Sequence, residues 1–95
     1  MQIRMTPETM RQRAGETDTQ AQNMQDLISK MDSLLNTLKG EWEGDAMRGY
    51  EDRYNKIKPV LNNARELLVE IATNLRATAQ IVEETDQRIG SQYRA

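Results

Sequence analysis

The sequence predicts an all-α protein: two long helices joined by one tight turn into an antiparallel helix-turn-helix hairpin, dimerising into a four-helix bundle. Three observations carry this prediction. Apolar residues recur in alternating steps of four and three along both halves of the chain, the spacing of a heptad seam. Between the halves lies Gly40-Glu41-Trp42-Glu43-Gly44, where the single Trp of a chain without Phe sits between two glycines. Finally, 95 residues of which only 37% are hydrophobic struggle to bury a sufficient core alone, and association is the usual remedy.

Helix one starts at about residue 7. Thr6 is placed as N-cap, Pro7 at the first helical position, where its missing N–H costs nothing, and Glu8 near the positive dipole end. Its seam runs Met10, Ala14, Thr17, Ala21, Met24, Ile28, Met31, Leu35, Leu38 and Trp42, widened on one flank by Leu27 and Leu34. That is a broader stripe than one partner helix needs. The helix is expected to stop at about residue 39, with Gly40 as C′ residue.

The turn, residues 40–44, must bend sharply, and Gly reaches positive φ without a Cβ clash. The Trp42 ring is expected to plug the end of the helix pair, and Asp45 to cap helix two.

Helix two is expected over about 45–89, with a flexible tail at 90–95, all within a single domain, 1–95. Its seam reads Ala46, Tyr50, Tyr54, Ile57, Leu61, Ala64, Leu68, Ile71, Leu75, Thr78, Val82, Thr85 and Ile89, flanked by Val60, Leu67 and Ile81 on one side and Ala72 and Ala79 on the other. Pro59 lies inside the pattern without breaking its phase, so a bend is expected there rather than a stop. Gly49 is costly in a helix, by roughly 1 kcal/mol relative to Ala. Its expected use is to leave room for Trp42 or for a partner helix.

A connection this short makes the helices antiparallel neighbours. Pairing the seams about the turn sets Leu35 near Tyr50, Met31 near Tyr54, Ile28 near Ile57, Met24 near Leu61 and Ala14 near Ile71, and leaves the chain from about Ile81 onward as an overhang. Ile28, Met31, Leu35, Leu38, Tyr54, Ile57, Leu61, Leu68 and Ile71 are the expected hairpin or dimer interface. Two hairpins related by a two-fold axis would close both wide stripes, bringing Trp42 of one chain toward the Val82 to Asp86 segment of its mate.

The same residues exclude several functions. A formal charge of −2 from 15 acids and 13 bases interspersed along the chain gives no footprint for nucleic acid. Cys and His are both absent, which removes disulfides, thiol chemistry and the commonest metal ligand and general base. The acid pairs Glu51-Asp52 and Glu83-Glu84 diverge around a helix, where catalytic dyads need facing groups. No enzymatic activity, cofactor or metal is expected. No apolar run approaches the roughly 20 residues of a membrane span, and the polar faces mix both charge signs, so stable membrane insertion is not expected either. The six Met residues read as gap-filling in a bundle. The N-terminus lacks the apolar stretch of a cleaved signal peptide.

Trp42-Glu43-Gly44, midway along a helical hairpin of this length, closely resembles the WXG-100 family of ESAT-6-like small type VII secretion substrates. The resemblance spans essentially the whole chain. It implies a dimeric protein made in the cytoplasm and exported folded, without a cleaved signal peptide, by a membrane-bound ATPase-driven ESX-like machine. It also implies a C-terminal export motif, Tyr-x-x-x-Asp/Glu, whose best match is Val82-Glu83-Glu84-Thr85-Asp86, with Val82 standing where the family has Tyr. The expected function is therefore that of a secreted homodimer acting through protein–protein interaction. The alternative is a non-secreted helical adaptor or chaperone, or one half of a heterodimer with another helical protein.

Overall fold

The computed structural model describes residues 4–94 and consists of two helices, α1 (Pro7–Glu41) and α2 (Asp45–Arg94). At 1.5 Å per residue the 50 residues of α2 span about 75 Å, and the molecule measures 77 × 20 × 16 Å. Its radius of gyration is 21.5 Å, against about 12 Å for a compact domain of this length. The hairpin is a rod without an enclosed interior.

α1 begins as its sequence dictates. The Thr6 side chain accepts from the Thr9 N–H at 3.1 Å and the Thr6 carbonyl accepts from the Met10 N–H at 2.9 Å. Its end differs from expectation, because Gly40 is helical and the helix runs on to Glu41. The Trp42 N–H donates to the Leu38 carbonyl at 2.7 Å, and Trp42 leaves the helix with φ −133 and ψ 104. Nothing at position 40 requires glycine, since an added Cβ would meet nothing within 4 Å.

The reversal falls on Gly44, whose φ of +137 is the only positive value among the described residues. Its carbonyl accepts from the Arg48 N–H at 3.2 Å, so Gly44 is the residue flanking α2 and Asp45 is its first helical residue rather than the expected cap. Asp45 still acts there, beside the helix dipole and paired with Arg48.

α2 continues through Pro59 and on to Arg94. The expected end at 89 and flexible tail give way to helix as far as Arg94; Ala95 and residues 1–3 lie outside the described residues. No Pro or positive-φ glycine interrupts the final turns.

The buried residues are Met10, Ala14, Ala21, Ile28, Met47, Tyr54, Ala72 and Ala79. Half are alanine, so the backbones approach closely and little apolar area is enclosed. The face of α2 turned to α1 is therefore rotated from the predicted seam. Met47 replaces Ala46, Ala72 and Ala79 move from flank to centre, and Tyr50, Ile57 and Ile71 are left exposed. Small residues win the contact because Ala14 and Ala21 on α1 recur at the same seven-residue spacing as Ala72 and Ala79.

Register near the turn is close to expectation. The Tyr54 hydroxyl, set opposite Met31 by the sequence, donates to the Asp32 carboxylate at 2.7 Å, with the Ile28 carbonyl at 3.2 Å as a second acceptor. At the open end it is not. Arg11 pairs with Glu83 and Asp18 with Arg76, so the level of Ala14 on α2 lies between residues 76 and 83 instead of at Ile71. From Lys39 to Arg11 along α1 the rod is matched by the longer stretch from Glu51 to Glu83 along α2, a stretch that includes Pro59 and its missing backbone donor. The overhang consequently begins beyond Glu83, not at Ile81.

Candidate functional site

Trp42 is not a plug. It is 44% exposed, with its ring centroid 6.0 Å from that of Tyr50 at an interplanar angle of 50°, a tilted pair at ordinary aromatic distance. Met47, which the sequence reading passed over for Ala46, fills the end of the hairpin instead. Nor does Gly49 accommodate the indole, as a methyl group there would meet nothing within 4 Å. Beside the ring a shallow groove is lined by Lys39, Glu43, Gly44, Met47 and Glu51.

Val82 is half-buried near the open end, Asp86 is exposed one turn later, and Glu83 between them is tied to Arg11. The 38 residues from Asp45 to Val82 are all in α2, so the turn and the Val82–Asp86 segment are about 57 Å apart. One chain cannot bring them together.

Of the nine expected interface residues, Ile28 and Tyr54 are buried and Met31, Leu35, Leu38, Leu61 and Leu68 half-buried, while Ile57 and Ile71 face outward. The two exposed ones correct the hairpin seam: they lie on the flank that the rotation of α2 turns away from α1. That flank also carries Tyr50, Val60, Leu67 and Ile81, and its counterpart on α1 carries Leu27 and Leu34. With successive residues about 100° apart around each helix, both flanks open to the same side of the hairpin. Val60 is 64% exposed and Leu34 58%. The result is a continuous apolar face, richest between residues 24 and 38 on α1 and between 50 and 71 on α2.

The opposite edge is charged. Lys39 pairs with Glu51 at 3.0 Å, Asp32 with Lys58 at 2.8 Å, Asp18 with Arg76 at 2.6 Å, and Arg11 with Glu83. Hydrogen bonds from Lys58 and then Tyr54 hold the Asp32 carboxyl below its ordinary range. Burial, reinforced by Asp32, pushes the Tyr54 hydroxyl up to about 12. Arg11 likewise lowers the Glu83 carboxyl through its hydrogen bond. These groups carry structural charge pairs, and among the described residues no cluster of acids could hold a metal ion. No described helix is long and apolar enough to cross a membrane.

The fold and its two faces define the class, an all-α helical hairpin with one uncovered apolar face and one charged edge. Comparison with known proteins makes the class specific. The model of the WXG100 family, "Proteins of 100 residues with WXG", matches residues 2–87, and the chain belongs to that family. It is 32% identical over 92 residues to Protein YukE of Bacillus subtilis, covering 97% of this chain and 95% of the relative. It is 25% identical over 91 residues to the type VII secretion system extracellular protein A of Staphylococcus aureus, covering 96% and 94%. Among solved structures, EsxA of Geobacillus thermodenitrificans superposes with a TM-score of 0.89 at 34% identity, covering 96% of this chain and all of that one. The secreted protein EsxB of Bacillus anthracis superposes with a TM-score of 0.80 at 26% identity, covering 90% and 96%. The chain is thus a helical hairpin of the type VII secretion substrate kind, and membership of this family makes it a non-enzyme.

Proposed function

We propose that this chain is exported folded by a type VII secretion system, as an antiparallel homodimer whose recognition surface combines Trp42, Glu43 and Gly44 of one copy with Val82 and Asp86 of the other. The observation that carries the reading is the uncovered apolar face. A soluble rod gains by covering it, and a second copy offers the same stripe in reverse. Centring the two-fold axis on the richest part of the stripe, near Val60, sets Trp42 of one copy at the level of Thr78 to Val82 of its mate. The residues about 57 Å apart in one chain then become neighbours. Ile28, Tyr54 and their half-buried companions hold each hairpin, while Ile57 and Ile71 serve the contact between copies.

The partner implied for export is the membrane ATPase of the secretion machine, and the destination is outside the cell. The name of the Staphylococcus relative supports that destination. One observation favours a second reading: Val82 occupies the place of the family's Tyr, which suits one half of a heterodimer whose mate supplies the full motif.

Immunoblotting of culture supernatant against lysate tests the proposal in a strain with an active type VII machine. The wild type is expected in the supernatant, and Trp42→Ala and Asp86→Asn, checked as folded by circular dichroism, are expected to stay in the cell. Retention of the wild type, or undiminished export of both variants, overturns it.

A further inference from the structure

Along the charged edge, the α1 members of the cross-helix pairs recur every seven residues: Lys39, Asp32, Asp18 and Arg11. The missing step between Asp32 and Asp18 is Gln25, and the residue of α2 beside it is Arg65. At the other four rungs the cation meets a carboxylate of the facing helix. Arg65 meets none within 4.0 Å, and its Nε, although buried, has no hydrogen-bond partner among the described residues. Burial of Nε fixes the guanidinium on the seam, and its terminal nitrogens, which have neither a hydrogen bond nor a facing carboxylate among the described residues, are left for an acceptor from outside.

Arg65 shares a notch with Gln22, Gln25 and the side chain of Val69, which is 43% exposed. Its donors are one guanidinium and neighbouring amides, and the one carboxylate in it, Asp18, is already paired with Arg76. We propose that this notch is a docking point for a carboxylate side chain of a partner protein, one with an apolar residue beside the acid to meet Val69. A polyanion gains little here, because Arg11, Lys39, Lys58 and Arg76 along the same edge are already matched by Glu83, Glu51, Asp32 and Asp18, which leaves Arg65 as a single cation for a single carboxylate. The notch lies on the side away from the apolar face, so a hairpin could hold a mate on one side and an acidic partner on the other.

The test is a titration of the full-length ¹⁵N-labelled chain, following the Arg65 Nε–H resonance and the Gln22, Gln25 and Val69 amides. The probe is a blocked helical peptide of repeated Glu-Ala-Ala-Leu, with the same peptide carrying Gln for Glu as control and inorganic phosphate as a third ligand. Saturable shifts confined to those resonances are expected with the Glu peptide alone. Arg65→Gln should weaken them about tenfold, the loss of one charge-assisted contact. Gln25→Glu, which supplies the missing acid from within, should abolish them while raising the melting temperature. Shifts spread evenly over the exposed lysines and arginines, equal binding by either variant, or tighter binding of phosphate than of the Glu peptide would each overturn the proposal.

Discussion

Leu67 is the sharpest probe of the apolar face. It is 55% exposed in the single hairpin, so covering it realises about half of the roughly 1.5–3 kcal/mol gained by fully burying a leucine. A two-fold dimer counts that gain twice. Leu67→Ala should therefore cost about 2 kcal/mol of dimer stability, raising the dissociation constant roughly 30-fold, while leaving the hairpin itself almost unchanged. Leu67→Glu should do more, because each copy would then desolvate a carboxylate against the apolar face of its mate. Sedimentation equilibrium over a wide concentration range reads the effect: wild type near twice 11.0 kDa, Leu67→Glu near the monomer mass with helical circular dichroism retained. Thr73→Glu, an exposed position on the far side of α2, is the control and should remain dimeric. A Leu67→Glu protein that still dimerises as tightly as wild type, or a Thr73→Glu protein that falls apart equally, would refute the assignment of the interface.

The glycines of the turn should part company in a thermal melt. Gly44→Ala forces a Cβ into φ +137 and should cost about 1–3 kcal/mol, whereas Gly40→Ala, in open helix, should stabilise by up to about 1 kcal/mol. Tyr54→Phe removes the buried hydroxyl that reaches Asp32 and Ile28 and should cost about 1 kcal/mol in urea unfolding. Acid should also weaken the hairpin. Asp32 and Glu83 have folded pKa values below their unfolded ones, so their contribution is complete above about pH 4–5 and is lost as pH falls through the folded values. Melting temperatures from pH 6 down to 2 should fall, and less steeply in Asp32→Asn and Glu83→Gln.

The start of α1, the position of the reversal and the antiparallel pairing were legible because each rests on local chemistry. Thr6-Pro7-Glu8 can begin a helix only one way, and the glycine at 44 answers a backbone angle that other residues resist. The rotation of α2 was harder to see. A hydrophobic pattern weights Tyr50, Ile57 and Ile71 above Ala72 and Ala79, yet close approach of backbones favours the small residues and turns the large ones outward. The same weighting made Trp42 look like core and hid Met47. The charged edge was readable and overlooked: Arg11, Asp18, Asp32 and Lys39 keep a strict seven-residue spacing, a signal that a search for apolar periodicity does not register.

That edge also acts as a ruler. Alanines repeating every seven residues on both helices would pack almost as well after a slide of one heptad, about 10 Å. The order of charge signs forbids it. Sliding one way sets Lys39 against Lys58 and Asp18 against Glu83; sliding the other way sets Asp32 against Glu51 and Arg11 against Arg76. Each misalignment breaks all four pairs and introduces two repulsions, offset in the first case only by Asp32 meeting Arg65, so the distance from Gly44 to whatever part of α1 flanks Val82 is set by electrostatic proofreading as well as by the apolar seam. A receptor gauging the two ends of the rod would meet them at one fixed separation.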